Sequence, residues 1–119
     1  MKRNRSTRVV FPVFSGFAVR VVLARNVAAT GKRLGEKSDL SQAAAAFISS
    51  STPTLVGWLV FEVMPDPGTI AHEASHAVRA LARHVGTNFD EETFAYHLGH
   101  LVGHIHKFLE KGKCKCKKH

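Results

Sequence analysis

Five consecutive residues of this 119-residue chain, His72-Glu73-Ala74-Ser75-His76, carry the side chains that a hydrolytic metal site needs. Residues four apart on a helix lie one above the other on the same face. His72 and His76 can therefore offer two imidazoles to one divalent ion. Glu73 sits one residue round, beside the open coordination position, where a carboxylate can take a proton from an activated water. Zn2+ is the expected occupant, with His72 and His76 as ligands and Glu73 as the base.

A third protein ligand is expected, because catalytic zinc usually has three. The stretch from Asp90 to about Leu109 reads as a second helix, with Asp90 as its N-cap. At 100° per residue, Glu92, Tyr96, Gly99 and Gly103 fall on one stripe, and Phe94, Leu98, Leu101, Ile105 and Phe108 on the opposite side. The two glycines would let the first stripe press against the motif helix. Glu92 is then the leading third ligand, and Tyr96, one turn on, supports the site or steadies an oxyanion. His100 and Glu91 stay as alternatives, because in an antiparallel hairpin the residue level with His76 falls near His100. The other histidines of this helix, His97, His104 and His106, are expected at solvent-facing or core-edge positions.

These residues need elements to hold them. Pro65-Asp66-Pro67-Gly68-Thr69 supplies the turn and the helix start, and Gly86 the stop. Between them Ile70, Ala74, Ala77, Val78, Leu81 and Val85 recur at helical spacing, which predicts the motif helix over 68–85. The strands come earlier. Residues 9–14 (VVFPVF) are β-prone, with Pro12 pushing them to an edge or bend. Residues 17–23 and 55–64 read as strands, and Asn26–Arg33 as a short helix. The polar piece 31–39 reads as a surface loop. Residues 42–48 are open between an alanine-rich helix and a hairpin strand. The sum is an α+β fold: a small, mainly antiparallel sheet of three or four strands, then the motif helix and a second C-terminal helix.

The net charge of +8 is concentrated at the ends. Residues 1–8 and 111–119 hold Lys and Arg without any acid, and the remaining basic residues nearly balance the nine Asp and Glu. A basic N-terminal arm (1–8), one domain (9–110) and a basic Cys/Lys tail without regular structure (111–119) are expected. The ends read chiefly as solvated segments, with weak nucleic-acid contact as the alternative. Cys114 and Cys116 lie in that tail and lack the spacing of a structural zinc site. No apolar run is long enough for a membrane span, and no signal-peptide core follows Met1. A cytoplasmic location is expected.

The pattern resembles the gluzincin-type zincins, in which a Glu from a following helix completes HExxH. Glu92-Thr93-Phe94-Ala95-Tyr96 is similar to their E-x-x-A pattern. The chain looks closer still to the small HExxH proteins encoded by phages and prophages, and more loosely like ImmA/IrrE-like peptidases. The match covers about Leu55 to Leu109; the gap from His76 to Glu92 is short for gluzincins. The resemblance implies a minimal zinc metallopeptidase acting on a peptide or protein, in host cytoplasm or associated with a virion. His72, His76 and Glu92 would hold zinc, and Glu73 would pass a proton to the leaving amine. Strand 55–64 would be the edge that a peptide joins by strand addition. Trp58 and Phe61 would line that cleft or, as their bulk favours, sit in the core. A zincin-like fold kept for metal binding or assembly, without turnover, is the competing reading.

Overall fold

In the computed structural model, which describes residues 4–62 and 65–117 and side chains as far as Lys111, four strands form one mixed sheet. β1 (Arg5–Val10) and β2 (Ala18–Leu23) are an antiparallel hairpin, in register from Arg5 opposite Leu23 to Val10 opposite Ala18. The chain then crosses through α1 (Val27–Arg33), which Asn26 caps by accepting the Ala29 N–H at 2.8 Å. It returns as β3 (Ala45–Ser49) and β4 (Leu55–Phe61), a second antiparallel pair. β4 lies parallel to β2, so the spatial order is β1-β2-β4-β3. The alanine-rich segment is thus a hairpin strand, because β4 offers it a full ladder of hydrogen bonds.

Strand alternation sorts the apolar residues onto two faces. Val19, Val21, Leu59 and Phe61 face α2 (Pro67–Val85) and α3 (Glu91–Lys117), with Ile70, Ala74, Leu81, Leu101 and Ile105 in the same core. Val22, Ala46, Ile48 and Val60 face the other way, into a smaller core with Val27, and Trp58 packs half-buried against it. Phe61 is fully buried beneath α2 and α3. Gly57 has a local cause: a Cβ there would stand 2.4 Å from the Ile48 carbonyl oxygen and 2.6 Å from the Phe47 ring. That ring lies across the strand where Gly57 has no side chain.

Both expected ends differ. β1 begins at Arg5, inside the supposed free arm, because the ladder with β2 pairs its backbone; Arg5 also stacks on the Phe108 ring at 4.7 Å. α3 runs to Lys117, so the expected tail is helical over most of its length. Lysines are good helix formers and suit the negative end of the helix dipole. Lys2, Arg3, Val63, Met64 and the side chains of Cys114 and Cys116 lie outside the described residues. Among the described residues no helix is long and apolar enough to cross a membrane.

Candidate metal centre

α2 is built as its sequence implies. The Asp66 carboxylate accepts the Thr69 N–H at 2.7 Å, Pro67 occupies the first turn, and Gly86 closes the helix at φ 79°. With Ile70, Ala74, Ala77, Val78 and Leu81 buried against the sheet, His72 and His76 are carried to the exposed side. Their rings stand edge to face with centroids 4.9 Å apart. Two imidazoles sharing one tetrahedral ion through N–metal bonds would place their centroids about 5 Å apart, so the spacing fits without rearranging the helix. Ser75 donates to the His72 carbonyl at 2.8 Å. Glu73 is only 14% exposed, and its carboxylate lies 4.0 Å from His72 Nε2. The HExxH residues are therefore together: two nitrogen donors outside and a sheltered carboxylate beside them.

Among the described residues the fold does not bring Glu92, the expected third ligand, to the histidine pair. Arg79, in the C-terminal half of α2, stacks over Phe94 at 5.4 Å, which sets the level of the two helices. Glu92 starts α3 beyond that level, whereas His72 and His76 lie before Arg79 on α2, towards its N-terminus. Glu92 and Tyr96 are exposed, and a Cβ added at Gly99 or Gly103 would meet nothing within 4 Å. The glycine stripe faces solvent, and Leu101 and Ile105 take the interface because their burial gains more than close backbone contact. The alternatives do not join the pair either. Glu91 is exposed at the start of α3, and His100 Nε2 donates to the Val10 carbonyl of β1 at 3.2 Å. Among the described residues no three His, Cys, Asp or Glu converge on one point.

Glu92 and Tyr96 instead meet His97, Thr93, Val13 and Phe14 around an open pocket of ≈ 370 Å³. His97 is 1% exposed, within a nest of Phe11, Phe14, Phe89 and Tyr96 rings whose centroids lie 5.3–6.1 Å from its own. Its Nδ1 donates to the Thr93 carbonyl at 2.9 Å, while Nε2 is buried without a partner. Sequence reasoning put this histidine at the edge. The signal was present: residue 97 lies three after Phe94 and four before Leu101, on the apolar face.

A second histidine pair, His100 and His104, also lies one helical turn apart, with centroids 4.4 Å apart. Partial withdrawal of its ring from water, then the nearby charges of His100 and Lys107, hold His104 below the usual imidazole value of 6.5. No family model, curated protein or solved structure matches the chain.

Proposed function

We propose that the protein is a zinc-dependent hydrolase of peptide bonds, with its centre at His72, His76 and Glu73. One observation carries this reading: the 4.9 Å approach of the two imidazoles, with the Glu73 carboxylate beside them on the same helix. His72 and His76 are the residues that would hold the ion, leaving positions for water and substrate. Bound zinc supplies Lewis acidity and makes water acidic near neutral pH. Glu73 accepts the proton at its carboxylate and returns it to the leaving amine. Its low exposure keeps the carboxylate partly withdrawn from water beside His72, while the histidines stay open to solvent.

Of the two outer strands, β1 and β3, the edge that lies by the motif helix is β3. β4, the expected edge, is paired on both sides, whereas β3 is an outer strand and packs under α2. A substrate strand added along Ala45–Ser49 would run beside the motif helix. Elemental analysis of the purified chain tests the metal, with zinc lost in His76→Ala. Glu73→Gln should keep the zinc and lose cleavage of proteins in a cell lysate; wild-type cleavage by that variant would sink the mechanism.

The exposure of His72, 68%, favours a second reading, metal-dependent association without turnover. A pair on an open helix face admits ligands from another molecule. Zinc-dependent dimerisation in sedimentation, with no chelator-sensitive cleavage, would select it.

A further inference from the structure

We propose that the pocket at the start of α3 binds an organic cation, an alkylguanidinium or alkylammonium group on an apolar stem. This site is separate from the His72–His76 pair. Its innermost wall is His97, whose Nδ1 proton is committed to the Thr93 carbonyl, so in the neutral ring Nε2 presents a lone pair. A buried nitrogen without a partner costs free energy until a donor reaches it. Glu92 supplies a carboxylate at the rim, and Phe14 and Tyr96 supply aromatic faces. Among the described residues no Lys or Arg lines the pocket. Acceptors, a negative charge and π-faces together select a positively charged donor.

The apolar stem follows from the surroundings. Among the described residues the exposed large hydrophobic side chains are Val10, Val13 and Tyr96. Val13 and Tyr96 line this pocket, and Val10 is tied to the neighbouring turn of α3 through His100. Water-exposed apolar surface gathered round a pocket marks a contact site. Tyr96 is 57% exposed and meets the His97 ring edge-on at 5.3 Å. A donor reaches the buried Nε2 when one of the surrounding rings moves aside, and Tyr96 is the exposed one among them.

The test is an NMR titration of the full chain, labelled at histidine ring nitrogens, with n-butylguanidinium chloride, n-butylammonium chloride and uncharged n-butanol. The cations should shift the His97 Nε2 resonance saturably and n-butanol should not. Glu92→Gln, at an exposed position, should weaken cation binding by about fivefold, the scale of one exposed ion pair. His97→Phe, which keeps the ring stack and removes the lone pair, should weaken it further. A capped peptide with one arginine separates the sources: tighter binding than n-butylguanidinium assigns the site to a protein partner, and equal binding to a small free cation. No saturable shift with either cation, an equal response to n-butanol, or unchanged affinity in Glu92→Gln would overturn the proposal.

Discussion

The first halves of α2 and α3 use the same parts and reach opposite outcomes. Each helix starts on an aspartate cap, Asp66 or Asp90, that accepts a backbone N–H at 2.7 Å. Each carries a His, a Glu and a second polar residue within two turns. In α2 the four-residue spacing falls outside the apolar stripe, and His72 and His76 stand in solvent. In α3 it joins Thr93 to His97 across the boundary of that stripe, and His97 is sealed among phenyl rings. Spacing along a helix determines which side chains meet one another. Depth is decided by where the spacing lies against the apolar face. The exposed pair is open to solvent on its helix face, whereas the buried ring holds one hydrogen bond to Thr93 and one unpartnered nitrogen.

The contrast can be broken most strongly at Leu101, whose full burial keeps the polar stripe of α3 outward. Leu101→Ala should cost about 2–5 kcal/mol in urea unfolding; a near-neutral result would mean that α3 is held by something else. Next in size is the metal. His76→Ala should weaken zinc binding by about a hundredfold or more, exceeding the effect of losing a supporting partner, while Glu92→Ala should leave the calorimetric titration unchanged. Loss of zinc in Glu92→Ala would restore that residue as a ligand and contradict the separation of the two regions. A smaller effect of opposite sign belongs to Gly99. Since nothing stands within 4 Å of an added Cβ, Gly99→Ala should stabilise by up to about 1 kcal/mol through helix propensity. A glycine pressed against α2 would instead destabilise.

The smallest effect should be shared by the two helix starts. The Thr69 N–H at Asp66, and the Thr93 side chain and N–H at Asp90, hold both carboxyls below the usual aspartate value of 3.8. For acids depressed in the fold, the stabilisation is present above 3.8 and is lost as pH falls through the lower folded values. A double variant, Asp66→Asn with Asp90→Asn, keeps acceptors without charge. Its Tm should fall less steeply than wild type over roughly pH 5 to 2. Parallel curves would show that the caps do not titrate with folding.

α2 was legible almost to the residue, because a proline-rich start, a single apolar period and a glycine stop all agree. The α+β class followed from strands before helices. The sheet order did not, since the run Leu55–Phe61 is the same whether it lies at an edge or between two strands. Only its apolar residues on both faces, with Val60 and Phe61 each fully buried, hinted at the interior. The proximity of His72, Glu73 and His76 was legible within one helix, and the place of Glu92 relative to them, between two helices, was not. Glu92 was placed by a glycine stripe taken for an interface, but a stripe without large side chains is equally a solvent face. Relative level along two helices depends on contacts such as Arg79 on Phe94, which no local pattern encodes.

The position of β4 in the sheet also orders the assembly of the molecule during synthesis. β4 is the last strand made, yet it is inserted between β2 and β3. Until Phe61 has left the ribosome, β3 has no neighbour in the sheet and β2 shows one open, valine-rich side. A chain halted near residue 50 is therefore a two-stranded hairpin with a sticky edge, the kind of species that self-associates or needs a chaperone. Closing the sheet also pairs strands far apart in the chain, so a slow step in its folding belongs at β4 rather than in either helix.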